Sequence, residues 1–295
     1  MNIVKGILIF LVILFVGDRL ISFVLDQVVS RSKFRYVRLY EGKMKEDVVM
    51  IGNSRGVNSF YTPYLKKQYG INAVNLSYNG LPTKIATTFL EDYIEQQQKP
   101  KAIFIEVSSL FVKYDFTKKS AIQYNFFSPY SEKLNGMVRE SGQWTYLLYN
   151  LFGLTRFNSE FFFRALAYMK NDDATWINRY RIKPAILKMT EKMDDFDVYL
   201  NEASLQHLAD FLEYADQQNI EVRLVLAPYL PMYQEKMRNL DEVIATVESK
   251  TNKKIYNYSH ALDKIEYFSD RVHTNDNGAN VLSDRMYEDG LFSLD

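Results

Sequence analysis

The sequence predicts an α/β chain: a three-layer α/β/α sandwich around a parallel sheet, with an aromatic-rich helical insertion and an N-terminal transmembrane helix. Three observations predict it. Short β-branched runs alternate with stretches whose apolar residues recur every three or four positions. One such run, Val48-Val49-Met50-Ile51, ends abruptly in Gly52-Asn53-Ser54-Arg55-Gly56. And the chain begins with an apolar stretch from Ile3 to Leu25.

The N-terminal stretch comes first. It is uninterrupted from Gly6 to Gly17 and resumes at Leu20 after Asp18-Arg19. Only the whole of it reaches the roughly 20 residues that a spanning helix needs. A cleaved signal peptide is the rival reading, but Phe15-Val16-Gly17 lacks the small residue expected two positions before a cleavage site. Residues 1–26 are therefore expected to be an uncleaved anchor and 27–295 a folded domain. Lys5 precedes the anchor and Arg31, Lys33, Arg35 and Arg38 follow it, a count that places the C-terminal side inside the cell if those residues are free.

The sheet pattern follows. Expected strands are Val48–Ile51, Ala73–Leu76, Ala102–Val107, Val222–Leu226 and Ile255–Tyr258. Ile85, Phe89 and Tyr93 share a helix face behind a Thr83 cap. Leu205, Leu208, Leu212 and Ala215 form a second stripe, and Met237, Leu240, Ile244 and Val247 a third. Strands alternating with helices imply a parallel sheet covered on both faces.

Residues from about 110 to 200 break the alternation. They carry Tyr124, Phe126, Phe127, Trp144, Tyr146, Phe157, Phe161, Phe162, Phe163 and Trp176, interleaved with Lys118, Lys119, Arg139, Arg156 and Arg164. So many aromatics exclude a disordered linker. They either build the insertion's own core or form a surface over a site.

Composition excludes several functions. Lys+Arg and Asp+Glu number 36 each, so no basic field attracts nucleic acid. The absence of Cys rules out disulfides and thiolate chemistry. No phosphate loop, dinucleotide fingerprint or zinc helix is present, and no metal or cofactor is expected.

The chemistry lies in two stretches. A strand that ends in Gly-Asn-Ser delivers Ser54 to the sheet edge where open α/β sheets bind ligands, although Gly, Asn and Ser are also ordinary turn residues. A serine hydroxyl needs an adjacent base. Of the three His, His273 follows Asp270 by three residues, within Asp270-Arg271-Val272-His273-Thr274-Asn275-Asp276-Asn277-Gly278. Such a turn places a base and its orienting carboxylate on one side.

The order Ser54…Asp270…His273 resembles that of the SGNH (GDSL-like) hydrolase superfamily, whose fold is flavodoxin-like. Gly52-Asn53-Ser54-Arg55 matches the first block, Asn79-Gly80 supplies the second-block glycine, and Asp270-x-x-His273 matches the last. The anchor and the Gly-x-Ser-Arg block make it similar to the membrane-anchored branch tied to acylation of cell-surface polysaccharide or teichoic acid. The resemblance implies an extracytoplasmic domain, against the charge count, and a serine acyltransferase or esterase whose acyl-enzyme forms on Ser54. It implies a hydroxyl acceptor on a polysaccharide, a membrane-embedded acyl donor protein and no cofactor. The rival readings are a serine esterase on small or lipid esters and a non-catalytic, membrane-tethered assembly partner. Backbone N–H groups of Ser54 and Gly80 would hold the oxyanion. Asn79 is either a further donor or a turn residue, and Arg55 either binds an anionic substrate or pairs with a carboxylate such as Glu106. The family's third block, Gly-x-Asn-Asp, is missing: the matching strand end reads Ile105-Glu106-Val107-Ser108-Ser109.

Overall fold

A computed structural model describes residues 3–113, 116–173 and 176–293. The chain divides into two compact units: residues up to Lys43 together with Phe116–Asp173, and residues from Met44 to Asp115 together with those from Ala174 onward.

The second unit is the sandwich. Its strands are β1 (Val48–Ile51), β2 (Ala73–Asn75), β3 (Ala102–Glu106), β4 (Glu221–Leu226) and β5 (Ile255–Asn257). All neighbours pair in parallel, in the order β2-β1-β3-β4-β5. That order is doubly wound, and its switch point falls between β1 and β3, where such folds open a crevice at the strands' carboxyl ends. β1 is buried at all four positions, as a parallel strand covered on both faces must be. Val48 and Met50 of β1 and Ala102 and Phe104 of β3 pack with Phe60, Leu65, Leu282 and Met286 on one face. The alternation of side chains turns Val49, Ile51, Ile103 and Ile105 to the other. There the helices Thr83–Gln96, Glu202–Gln217 and Leu240–Thr251 carry the apolar stripes, with Phe89, Leu208 and Val247 buried; Met237 of the third stripe lies before its helix, bridging Phe196. β2, β3 and β5 each end one residue earlier than expected, and the first helix is capped differently. Pro82, not Thr83, occupies the cap position of the first of these helices, and the Thr83 hydroxyl bonds instead to Ser109 Oγ at 2.9 Å.

The first unit combines the helix Ile3–Val29 with a helical body. Ile3–Val29 is long and apolar enough to cross a membrane. It is exposed along most of its length, and its buried positions are Asp18, Ser22 and Val29. The body's core is aromatic: Tyr36, Tyr124, Phe126, Phe127, Phe157, Phe161 and Phe162 are buried and meet ring to ring, as Phe127 and Phe161 do at 5.2 Å. For these residues the core account holds. Trp176 lies in the sandwich unit, with its ring 5.3 Å from that of Tyr78. The region around Phe196 also belongs there, pairing with Met237 and Lys236.

Candidate active site

Ser54 is the first residue of the short helix Ser54–Ser59 that follows β1. Asn53 caps that helix, its Oδ1 accepting the Arg55 N–H at 2.8 Å. Gly52 is required by close approach: a Cβ there would stand 2.6 Å from the Cβ of Glu106 at the end of β3. The segment thus runs tight against β3 and turns the serine outward at the switch point.

His273 arrives on a loop held at both ends. Phe268 bridges Thr274, and Ser269 N–H donates to His273 O at 2.9 Å. Asn275 caps the helix Asp276–Glu288, accepting from the N–H groups of Asn277 and Gly278. Gly278 is needed because a Cβ there would collide with the Tyr267 carbonyl. The Thr274 hydroxyl donates to Asn58 O at 2.6 Å, which fastens this loop to the Ser54 helix. The Asp-x-x-His-x-Asn-x-x-Gly spacing is therefore a description of one folded loop.

The three polar side chains meet. His273 Nε2 lies 2.7 Å from Ser54 Oγ, and His273 Nδ1 lies 2.8 Å from Asp270 Oδ2. The carboxylate requires a proton on Nδ1, so Nε2 is the acceptor and Ser54 the donor. Asp270 Oδ1 accepts the Val272 and His273 backbone N–H groups at 2.8 and 2.9 Å. Partial burial pushes the Asp270 carboxyl up, but the bonds from the His273 ring and these two N–H groups outweigh it and hold it below its ordinary value.

Arg55 turns inward. Its Nε lies 3.3 Å from Glu106 Oε1, Nη1 donates to Val272 O at 3.1 Å, and Nη2 donates to Ala227 O. The guanidinium sits 3.5 Å over the Tyr229 ring. Burial pushes the Tyr229 phenol up to about 12, so the ring faces the cation uncharged. Of its two expected roles, pairing with Glu106 is the one this arrangement serves.

A cavity of about 430 Å³ opens at the triad, lined by Ser54, His273, Asn53 and Ser108 and by aromatic residues including Phe111, Phe196, Tyr199 and Tyr233. Asn79 and Gly80 do not line it. They form the middle of a turn closed by Leu81 N–H to Tyr78 O at 3.0 Å, with Gly80 at φ 67°, so local turn chemistry accounts for both. The sequence reading missed Asn53 as a site residue. Its Nδ2 donates to Ser108 Oγ at 3.2 Å, and Ser108 donates to Glu106 Oε2 at 2.6 Å. Ser108 stands just beyond the end of β3, in the segment 105–109. The sequence signal was the polar residue at each strand end beside the switch point.

No protein-family model and no curated protein matches the chain. Among solved structures, it is similar to a candidate acylhydrolase from Bacteroides fragilis at 13% identity and a TM-score of 0.43, over 88% of this chain and 96% of that one. A GDSL-like lipase from Bacteroides thetaiotaomicron gives 12% and 0.43, over 84% and 88%. A psychrotrophic esterase from Pseudoalteromonas gives 11% and 0.42, over 84% and 99%. Likenesses this distant carry no weight on function, which rests on the geometry above.

Proposed function

We propose that this chain is a membrane-anchored serine acyl-transfer enzyme of the SGNH (GDSL-like) type. The observation that carries the reading is the line of contacts Ser54 Oγ–His273 Nε2 and His273 Nδ1–Asp270, at 2.7 and 2.8 Å. Ser54 Oγ attacks the ester carbonyl while His273 Nε2 takes its proton, and Asp270 stabilises the imidazolium. The Ser54 N–H and the second hydrogen of the Asn53 amide stabilise the oxyanion. Collapse expels the alcohol, which leaves with the proton from His273. In the second half, His273 deprotonates an acceptor hydroxyl that attacks the acyl carbon, and the imidazolium returns that proton to Ser54 Oγ as the acyl–serine bond breaks.

The acceptor we propose is a hydroxyl of a cell-surface polysaccharide, with water as the competing acceptor. Aromatic rings at the cavity suit the apolar faces of sugars. The apolar helix Ile3–Val29 would hold the site near an acyl group delivered by a membrane-embedded donor protein. We place the globular part outside the cytoplasm. Arg35, which counts against that side, is buried against Asp173 and so belongs to a folded body, where the charge rule weakens.

A fluorophosphonate probe is expected to label the wild-type protein and not Ser54→Ala, whose turnover falls on the order of 10⁶-fold as when a serine nucleophile is removed elsewhere. An activated ester should then acylate Ser54, and a surface-glycan acceptor should accelerate loss of that acyl group and itself become acylated. Rapid hydrolysis with no acylated glycan selects the plain esterase. No reaction of the folded wild type with either reagent selects a non-catalytic partner.

A further inference from the structure

The helix Gln143–Leu151 in the first unit is built backwards for a soluble protein. Trp144, Leu147, Leu148 and Leu151 follow the i, i+3, i+4, i+7 spacing of a core-facing stripe. Yet Trp144 is 80% exposed, Leu148 54% and Leu151 50%, and no residue of the helix is buried. Thr145, Tyr146 and Tyr149, off that stripe, are the half-buried ones. A helix this short is marginal in water without a packed apolar face.

Its place in the unit says what covers the stripe. Arg19 Nη2 donates to Asn150 O and Leu151 O, both at 2.5 Å, and so caps its C-terminal end. Just beyond, Asp18 accepts the N–H groups of Gly153 and Leu154 at 2.7 and 3.1 Å. The helix is therefore fastened to Ile3–Val29 at the level of Asp18-Arg19. From Ile3 to Gly17 the long helix rises only about 22 Å, short of a hydrocarbon core of about 30 Å. To span that core it must continue to about Val24. Its outer residues allow this: Leu20, Ile21, Phe23 and Val24 are exposed, while Asp18 and Ser22 are buried in the unit. The bilayer then reaches past the level at which Gln143–Leu151 is attached. Asp18 and Arg19 are tolerable at that depth because Asp18 accepts two backbone N–H groups, Arg19 Nη2 serves two carbonyls, and Arg19 Nε lies 3.7 Å from Asp18 Oδ2.

We infer that Gln143–Leu151 is a second membrane contact: it lies in the bilayer interface beside the spanning helix, with the Trp144-Leu147-Leu148-Leu151 stripe turned into the acyl–headgroup boundary. Trp and Tyr suit that boundary because one end of each ring is apolar and the other polar. A cavity of about 370 Å³ shared by the two helices is lined at its outer end by Asp26 and Arg156, an ion pair beyond Val24, which puts charged groups at headgroup level. The inference rests on Ile3–Val29 crossing a membrane, and the experiment separates the two.

The chain has two Trp, so Trp176→Phe leaves Trp144 as the sole indole. The full-length variant is reconstituted into phosphatidylcholine vesicles with and without lipid brominated high on the acyl chains, then floated and washed in carbonate. The expected result is carbonate-resistant flotation and Trp144 emission at least about twofold lower in brominated vesicles, as for an indole ~5–10 Å into the boundary. Carbonate-resistant flotation with emission insensitive to bromine but quenched by aqueous iodide overturns the interfacial helix and leaves the anchor intact. Emission shielded from both quenchers, and dependent on protein-to-lipid ratio, assigns the stripe to a second copy and also overturns it. Release by carbonate removes the anchor and the inference together.

Discussion

Among the described residues, a deeply buried arginine–carboxylate pair stands in each unit, and the two do different things. Arg55 and Glu106 lie 3.3 Å apart with side chains 5% and 0% exposed, and Arg35 and Asp173 lie 2.9 Å apart with side chains 4% and 6% exposed. By burial they are equivalent. Asp173 Oδ2 takes both the Arg35 backbone N–H and its Nε, and the Asp173 carbonyl takes Nη2, so the pair ties the beginning of the helical body to its end. Arg55 reaches further, to carbonyls at the end of β4 and beside His273, while Glu106 holds Ser108 and the Ala227 N–H. Breaking either pair leaves a buried charge, but only the Arg55–Glu106 pair also holds the segments that carry Ser54 and His273. Burial and distance therefore do not identify a functional ion pair; what its remaining donors and acceptors hold does.

Asp270 offers the largest effect with which to sharpen the contrast. Asp270→Asn keeps the loop's size but loses the acceptor pattern that fixes the His273 tautomer. We expect kcat for an activated ester to fall by up to roughly 10⁴, with secondary structure by circular dichroism unchanged. The pH dependence has a definite sign. A carboxyl held below its ordinary value contributes stability that is present above about pH 4 and lost as pH falls through the lowered value. The variant should lose less stability than wild type when titrated through that acid window in urea, and the two should run parallel above it. A variant that loses the same amount would show that Asp270 is not linked to folding.

The two arginines test the comparison itself. Arg55→Ala and Arg35→Ala should each cost about 3–5 kcal/mol, read as a lowered urea midpoint, because each leaves a buried carboxylate unpaired. Their kinetics should part. For the folded fraction, Arg55→Ala lowers kcat with little change in KM, and Arg55→Lys does not restore it, since one ammonium cannot reach Glu106, Ala227 and Val272 together. Arg35→Ala leaves kcat of the folded fraction unchanged. Equal kcat for both variants would reduce Arg55 to a structural role.

How much of this was legible in the sequence follows the range of the forces involved. The strands and helix stripes were readable because burial imposes local periods of two and 3.6 on the residues that form them. Ser54, Asp270 and His273 were readable because loop chemistry ties each to fixed neighbours, Asn53 as a cap and Asn275 with Gly278 as a cap and close contact. The Arg55–Tyr229 stack and the cavity residues Phe196, Tyr199 and Tyr233 were not, since they come from distant segments that only the sheet brings together. Asn79-Gly80 was ambiguous because the same two residues serve a turn or a site loop; the structure shows the turn. The outward stripe of Gln143–Leu151 was hidden for a similar reason: periodicity reports an apolar face, not what covers it.

Asn53 carries the smallest effect and the sharpest question, because the same side chain serves fold and chemistry. Its Oδ1 caps the Ser54 helix, and its Nδ2 reaches Ser108 at the rim of the cavity. Asn53→Ala removes both functions. Asn53→Asp keeps the cap acceptor and removes the amide donor. As a cap alone, the residue is worth about 1 kcal/mol, and alanine would lower stability with kcat unchanged. As an oxyanion donor it is worth about 10²–10³ in kcat. We expect Asn53→Asp to retain most of the stability and lose kcat by that factor, with KM changed little, since the oxyanion exists in the transition state and not in bound ester. Ser108→Ala should then have a smaller effect than Asn53→Asp, because Ser108 orients the amide and does not itself touch the acyl group. If Ser108→Ala costs as much as Asn53→Asp, the hydroxyl is the donor and Asn53 the residue that positions it.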